Sequence, residues 1–479
     1  MSIPRKIAYN VVISSISKVA STALALVGIG MIARYLGQDG FGMYATALAF
    51  FSFFGALGDW GIYQSFTRDI SRPGADEASI VSRVAGLRIV VSSAILAIAP
   101  LIAYFSPYDK ELKYAIFITA LAFFFSSFYQ FIIGFFQKKL IMDKVALAEF
   151  LGKIVQVGTV YLGVKFQFGL AFITSSILFN MIFVLMFLII ITQKYVHFKI
   201  IFDRTFMKTF LISTAPIGLA TLVAFIYGKA DTIILSLLKS SQEVGIYGAA
   251  FKIIENVTFF PAMIVGLTMP LFSHSIIADR LKFQRMVNKN FKVFLVLVMP
   301  LIVGTLFLAD GIIRIVTGPG FEQSATVLRI VIFSLGLIFF GHLSNSVLIS
   351  AGLQKYMLRV FIFCALFSIV GNFLFVPRFS FLATAWINVI TELLVVILTG
   401  YFAIKKLGLK IDLKKVPRIL LASILMAGFL KLFSNWNFFL LLLASPIVYF
   451  VVLTILKVFS KDEIFSLIKK EPIAESIEI

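Results

Sequence analysis

The sequence holds few of the residues on which most active-site chemistry depends. It has one cysteine, Cys364, and three histidines among 479 residues. A single thiol in an apolar segment excludes a disulfide framework and cysteine-based metal sites. The chain also contains no phosphate-binding glycine loop and no nucleophile elbow. We therefore expect no metal site, no cofactor and no enzymatic activity.

Charged residues are scarce as well. They make up 14% of the chain, whereas 60% of residues are hydrophobic and the mean hydropathy is +1.01. Soluble domains carry about 25% charged residues, so this composition is that of a protein in lipid. The net charge of +20 lies mainly in short gaps between apolar runs, where membrane insertion places lysine and arginine. Because membrane insertion explains where these charges lie, we expect no nucleic-acid partner.

Long apolar runs are abundant and dictate the expected fold. A helix needs about 20 apolar residues to cross a bilayer, and fourteen runs reach that scale. The sequence predicts an all-α polytopic membrane protein with no soluble domain. The expected spans are 9–33, 44–65, 82–105, 114–136, 145–165, 168–192, 209–238, 246–273, 292–316, 326–350, 359–376, 381–404, 417–433 and 437–457.

The distribution of lysine and arginine predicts the orientation of these spans. If the N-terminus is cytoplasmic, the inner segments carry roughly four times as many basic residues as the outer ones. This asymmetry supports an even number of spans. We expect both termini in the cytoplasm.

Two similar turns indicate an internal repeat. FGMYA at 41–45 precedes the second span, and VGIYGA at 244–249 precedes the eighth. The even number of intervening spans predicts two parallel halves related by a pseudo-two-fold axis along the membrane normal. The alternative is that Gly-x-Tyr is merely a common start of a helix. The expected lobes are 1–208 (helices 1–6) and 209–416 (helices 7–12), followed by 417–479 (helices 13 and 14 and a cytoplasmic tail).

Three short segments resemble turns of a known family. They are ARYLGQDGFGMY at 33–44, EVGIYGAA at 243–250 and GPGFEQSA at 318–325. In this order they resemble the outer turns of bacterial polysaccharide and O-antigen repeat-unit flippases. These proteins form the oligosaccharide-flippase branch of the multidrug/oligosaccharidyl-lipid/polysaccharide exporter superfamily. With the length and the number of spans, the resemblance covers nearly the whole chain.

The resemblance implies a function and a location. Such proteins move undecaprenyl-diphosphate-linked oligosaccharides from the cytoplasmic to the periplasmic leaflet of the bacterial inner membrane, by alternating access through a basic central cavity. It further implies coupling to H⁺ or Na⁺, contact with membrane lipids, and cooperation with a polysaccharide polymerase and a chain-length regulator. The product would be O-antigen, capsule or exopolysaccharide.

Two alternatives remain open. A drug or cation antiporter of the same superfamily would share the fold, although a basic lumen repels cations. A glycan polymerase or ligase of the membrane would usually carry a large outer loop with catalytic residues, and every outer loop here is short.

Basic residues inside the spans are the candidates for substrate binding. A charge at mid-bilayer costs ~2.5–3.5 kcal/mol, so it normally faces a cavity or a partner. Ammonium and guanidinium groups in a wet cavity would bind a diphosphate through charge-assisted hydrogen bonds. Serine and threonine of helix 1 and Asn256 of helix 8 would contact the sugars. The basic candidates are Lys18, Arg88, Lys153, Lys229 and Lys252.

Four acidic residues, Asp59, Asp231, Glu255 and Glu392, are candidates for ion coupling or charge pairing. Asp59 is expected at a depth similar to that of Lys18, while Asp231 and Glu255 lie close in sequence to Lys229 and Lys252. The alternative for these groups, and for Lys153 beside Glu149, is a structural ion pair.

Glu392 has no basic residue nearby in sequence and is a candidate proton or sodium site. His342 and Asn345 are its expected neighbours. The alternative is a neutral carboxylic acid bonded to another helix.

Two prolines are candidates for gating. Proline kinks a helix, and neighbouring helices can satisfy the carbonyl groups it frees. Pro216 lies in helix 7 and Pro261 in helix 8. The alternative is a static irregularity of packing.

Overall fold

The fold is known from a computed structural model that describes residues 3–458 except Pro73. Within that range the chain forms helices and no strands, as predicted. The helices are α1 (Ile3–Asp59), α2 (Ile62–Ile70), α3 (Glu77–Phe105), α4 (Lys110–Lys139), α5 (Met142–Lys165), α6 (Leu170–Gln193), α7 (Arg204–Leu238), α8 (Ser241–Val257), α9 (Phe259–Ala278), α10 (Arg280–Thr317), α11 (Glu322–Ser350), α12 (Gln354–Leu407), α13 (Val416–Leu432) and α14 (Phe438–Ile455).

Two of these helices are too long for one crossing. α1 has 57 residues and α12 has 54, whereas a crossing takes about 20. Each contains one residue with non-helical backbone angles, Gly37 at φ 66° in α1 and Ser380 at φ 51° in α12. Each therefore comprises two spans joined at a kink, close to the boundaries that the apolar runs predict.

Two other predicted spans are divided. The predicted second span reaches residue 65, but α1 ends at Asp59 because Trp60 and Gly61 adopt left-handed conformations, and α2 follows. The predicted eighth span is α8 and α9, separated at Thr258. Pro261 thus lies in the first turn of α9, where proline costs little because the N–H groups there are unpaired.

The expected fourteen crossings are confirmed. Eleven of the described helical stretches are long and apolar enough to cross a membrane by length and composition. The stretches with kinks at Gly37 and Ser380 hold two crossings each, and α13, with 17 residues, completes the set. Large apolar side chains such as Phe363, Leu443 and Ile447 are exposed, as on a surface that lipid covers. The chain is a multi-pass membrane protein.

The helices form two compact units. The first comprises Met1–Gly248 with Val316–Gly320, and the second comprises Ala249–Ile315 with Phe321–Ile479. Each has a hydrophobic core of its own, around Phe66 and Phe131 in the first and around Met426 and Tyr449 in the second. The predicted lobe boundaries at residues 208 and 416 stay a prediction, and the tail beyond residue 458 lies outside the described residues.

Candidate functional site

The turns that carry the family resemblance meet in the first unit. A Cβ atom placed on Gly42 would overlap the carbonyl oxygen of Ser241 and lie 2.8 Å from the nitrogen of Gly245. One on Gly245 would lie 2.9 Å from the carbonyl carbon of Gln38 and 3.2 Å from the nitrogen of Gly42. Only glycine permits this approach of two backbones. Because Gly42 and Gly245 hold equivalent positions in the two similar turns, the contact favours the internal repeat.

Two glutamines extend this contact to the third turn. Nε2 of Gln242 donates to Oε1 of Gln38 over 2.7 Å, and Nε2 of Gln38 donates to the carbonyl oxygen of Gly320. We call Gln38, Gly42, Gln242, Gly245 and Gly320 the turn cluster. It joins segments that are far apart in sequence, on the side that the charge distribution predicts to be outer.

A group of charges lies between α1 and α5. Lys18 and Lys153 are the cations whose charge acts on Glu149. Nζ of Lys153 donates to Oε1 of Gln156 over 2.8 Å, and Nδ2 of Asn180 donates to the same oxygen over 3.2 Å. The Lys18 side chain is exposed, and those of Lys153 and Glu149 are partly buried. We call Lys18, Glu149 and Lys153 the inner charge group.

Asp59 pairs with Arg88 rather than with Lys18. Nη2 of Arg88 donates to Oδ1 of Asp59 over 2.9 Å, and Nη1 donates to the carbonyl oxygen of Gly58 over 3.0 Å. The Arg88 side chain is 0% exposed, so it needs both a counter-charge and hydrogen bonds. The end of α1 supplies both, since its last carbonyl groups have no partner within the helix and attract a cation. Arg88 therefore caps α1, and its predicted contact with substrate stays a prediction.

A cavity of about 530 Å³ opens beside this ion pair. The end of α1, together with α2, α4 and α7, forms its walls. We call it the Asp59 cavity. It is lined by Gly55, Ala56, Asp59, Tyr63, Gln64, Gln130, Ile133, Thr221, Ala224 and Phe225. Sequence reasoning selected Asp59 alone among these residues, because the amides and hydroxyls carry no charge that would mark them inside an apolar run.

Asp231 is held by residues of its own unit. Its side chain is 3% exposed. Oδ2 accepts from the Tyr247 hydroxyl over 2.6 Å, and Oδ1 accepts from the backbone nitrogen and the hydroxyl of Thr232. Lys229 acts on Asp231 electrostatically. This arrangement ties the end of α7 to the second of the similar turns, since Tyr247 belongs to that turn.

The remaining candidates have varied surroundings. Lys252 and Glu255 form an ion pair of 2.6 Å on one face of α8, and both are partly exposed. Pro216 is exposed within α7, and Pro261 is buried. The roles assigned to these residues in binding, coupling and gating stay predictions.

Glu392 is buried in the second half of α12. It is 7% exposed, and its charge acts on Cys364 in the first half of the same helix. Sequence reasoning did not place Cys364 near Glu392, because the kink at Ser380 brings together residues that are far apart in the chain. The expected neighbours His342 and Asn345 lie on α11 of the same unit. Their contact with Glu392 stays a prediction.

Known proteins share this sequence pattern and fold. The family model described as "Polysaccharide biosynthesis protein" matches residues 7–276, more than half of the chain, and the model described as "MatE" matches 216–374. No curated protein sequence matches. Among solved structures, "Lipid II flippase MurJ, inward closed conformation" is 18% identical with a TM-score of 0.76, over 96% of this chain and 100% of that one.

A multidrug transporter gives a second likeness in structure. The "inward-facing conformation of a multidrug resistance MATE family transporter of the MOP superfamily" has a TM-score of 0.67 at 14% identity, over 82% of this chain and 98% of that one. The "outward-facing conformation" of such a transporter has a TM-score of 0.52 at 15% identity, over 85% and 94%. At these identities the likeness shows the fold alone. The fold is that of transporters and flippases of this superfamily.

Proposed function

The chain belongs to the polysaccharide biosynthesis protein family, and from that premise we propose that it is a flippase for lipid-linked oligosaccharides. It moves an undecaprenyl-diphosphate-linked oligosaccharide from the cytoplasmic to the periplasmic leaflet of the bacterial inner membrane. The translocated unit is used for O-antigen, capsule or exopolysaccharide, and a polymerase with a chain-length regulator acts on it afterwards.

The observation that carries this proposal is the exposed position of Lys18 within a predicted span. Lys18 lies about ten residues into its predicted span, or ~15 Å along the helix axis, which is half of the ~30 Å hydrocarbon thickness. Its side chain is exposed rather than packed. A lysine at this depth costs ~2.5–3.5 kcal/mol against lipid, so we infer that it faces a hydrated cavity. A diphosphate is the anion that such a cavity would carry through the membrane.

The inner charge group suits the capture and release of a diphosphate. Glu149 offsets part of the charge of Lys18 and Lys153 when no substrate is present. A diphosphate offers more acceptor oxygens than one carboxylate, and so it competes with Glu149 for both ammonium groups. Exchange between these two pairings binds the head group without leaving a buried cation uncompensated.

Alternating access requires gates and a source of energy. The turn cluster is the proposed outer gate, and the helix around Pro216 is the proposed moving element. Glu392 is the proposed site at which H⁺ or Na⁺ couples to transport, because a buried carboxyl group in a membrane helix typically marks an ion pathway. Lys229 and Lys252, beside Asp231 and Glu255, are proposed further contacts for the head group.

Charge reversal tests the proposal in cells. Lys18→Glu places a carboxylate where the diphosphate must bind, and we expect it to abolish glycan export in a strain that lacks its own flippase. Lys194→Glu, at an exposed position after α6, is the matched control and should export normally. Immunoblots of the membrane fraction establish that both variants are inserted. Normal export by Lys18→Glu contradicts the basic-cavity mechanism.

A drug or cation antiporter is the second candidate, and the match of residues 216–374 to the MatE model favours it. Drug resistance in an exporter-deficient strain separates the two functions. An antiporter raises the inhibitory concentration of cationic drugs, whereas a flippase leaves it unchanged.

A further inference from the structure

The Asp59 cavity combines polar groups with apolar lining. Its volume of about 530 Å³ falls within the ~300–1,000 Å³ typical of small-molecule sites. Its lining residues include a carboxylate, a phenol, two amides and a hydroxyl, from Asp59, Tyr63, Gln64, Gln130 and Thr221. The phenol donates to Gln137 and the hydroxyl to the carbonyl oxygen of Ile217, so both remain available as acceptors. A polar group costs free energy in an apolar environment unless it is hydrogen-bonded, so this lining favours a polar occupant over lipid.

The charge of this cavity favours a neutral ligand. Asp59 is its one charged lining residue, and Arg88 already compensates that charge over 2.9 Å. A diphosphate would meet a carboxylate and no accessible cation. A cationic drug would meet a carboxylate whose charge is largely neutralised. Neither gains a new ion pair here, so electrostatics disfavours both as occupants.

Unused hydrogen-bonding capacity indicates what kind of neutral ligand fits. Asp59 lines the cavity, and Arg88 donates to its Oδ1, whereas Oδ2 accepts no hydrogen bond from a residue in the described part of the chain. The amides of Gln64 and Gln130 make no hydrogen bond to any residue in the described part of the chain. Each amide offers both donors and an acceptor, and the carboxylate adds a strong acceptor. This set matches a ligand with several adjacent hydroxyl groups.

The same helices also contribute apolar lining. Phe225 and Ile133 line the cavity, and the Phe225 ring packs against that of Phe53 with centroids 5.7 Å apart. An aromatic side chain beside hydrogen-bonding groups suits a ring that has both hydroxyl groups and C–H faces. A lipid tail would use the apolar lining but leave the amides and the carboxylate without partners, at a cost for each. A sugar ring uses both kinds of lining.

We propose that the Asp59 cavity binds a neutral sugar residue of the oligosaccharide head group. This inference rests on the flippase function proposed above and divides recognition of the head group between two places. The inner charge group holds the diphosphate, and the Asp59 cavity selects the sugar. Asp59 lies at the end of α1 that is predicted to be cytoplasmic, where the loaded lipid carrier enters.

Lipid binding by matched variants tests the sugar site. The double variant Gln64→Leu/Gln130→Leu removes both free amides, and Leu suits a membrane helix, so we expect it to be stable. Gln193→Leu, at the exposed end of α6, makes the same change outside the cavity. Purified proteins in lipid nanodiscs are titrated with undecaprenyl diphosphate and with undecaprenyl diphosphate bearing one N-acetylhexosamine, and binding is followed by native mass spectrometry.

We expect the double variant to bind the sugar-bearing lipid about tenfold more weakly, a loss of ~1.4 kcal/mol in hydrogen bonds. Its affinity for the sugar-free lipid and both affinities of Gln193→Leu should equal those of the wild type. Equal changes for the two lipids, or no change for either, overturn the sugar site while the flippase function stands. A wild-type protein that binds neither lipid contradicts the flippase function, and the sugar site with it.

Discussion

At the scale of the residue, the ion pair between Arg88 and Asp59 shows how a buried charge is accommodated at a helix end. Its consequence is measurable. Arg88→Met leaves Asp59 without its counter-charge and the end of α1 without its cap, so we expect a loss of about 3–5 kcal/mol in stability. Thermal unfolding of the purified protein in detergent should show a clearly lower midpoint.

A second variant distinguishes the contribution of the ion pair to stability from that of the Arg88 side-chain volume. Arg88→Met/Asp59→Asn removes both members of the pair, and we expect it to recover part of the lost stability because no uncompensated charge remains. Equal midpoints for the single and double variants would show that the ion pair contributes little, and that Arg88 matters through its volume.

Sequence reasoning identified the charges at this scale and the pair of Lys252 with Glu255, which lie three residues apart on one helix, but not the partner of Asp59. Lys18, Asp59 and Glu392 stand out because a charge inside an apolar run carries a known cost. The pairing of Asp59 depends on where α1 ends, and the left-handed backbone of Trp60 that ends it has no sequence signal, since tryptophan rarely adopts it. Gln64 and Gln130 were missed because a neutral amide costs much less in a membrane than a charge.

At the scale of the element, the turn cluster depends on glycine. Gly42→Val would push a side chain into the backbone of Ser241 and Gly245, and overpacking of this kind costs about 1–3 kcal/mol. We expect a lower thermal midpoint and loss of export. Gly428→Val on α13, where a Cβ atom would meet nothing within 4 Å, serves as the control. An unchanged midpoint and normal export in Gly42→Val would show that the turns need not approach closely.

The proline of α7 gives a second prediction for an element. Pro216 has no N–H group, so the carbonyl oxygen of Ile212, four residues earlier, loses its helical hydrogen bond. The neighbouring carbonyl oxygen, of Leu211, accepts a hydrogen bond from the Trp60 indole over 3.3 Å. Pro216→Ala would stiffen α7. We expect export to slow several-fold with normal amounts of protein in the membrane, as measured by the rate at which labelled glycan appears at the cell surface.

Pro446→Ala in α14 controls for the loss of any membrane proline. If Pro216→Ala exports at the wild-type rate, α7 does not need its irregularity to move.

The spans themselves were largely predictable, and their internal breaks were not. Long apolar runs separated by short basic loops locate the crossings because lipid imposes the length. The break at Thr258 escaped detection because Val257 and Phe259 flank it and no charged residue interrupts the apolar run there. α2 was missed as a separate element because its charged residues, Arg68 and Asp69, suggest a loop.

At the scale of the whole molecule, transport must be coupled to a gradient if Glu392 is the ion site. Glu392→Gln keeps the volume and removes the ionisable group. We expect export to lose its dependence on the proton or sodium gradient, as measured in cells treated with a selective ionophore. Export by Glu392→Gln that still falls when the gradient is collapsed would remove Glu392 from the coupling mechanism.

The central claim is that a hydrated basic cavity carries a lipid-linked diphosphate across the membrane. Its most direct test is translocation of a fluorescent undecaprenyl-diphosphate oligosaccharide in proteoliposomes, followed by quenching of the outer leaflet with a membrane-impermeant reductant. We expect the wild type to make the inner pool accessible to the reductant and Lys18→Glu, at equal protein density, to leave it protected. An inner pool that stays protected with the wild-type protein, or equal rates for the two proteins, would contradict it.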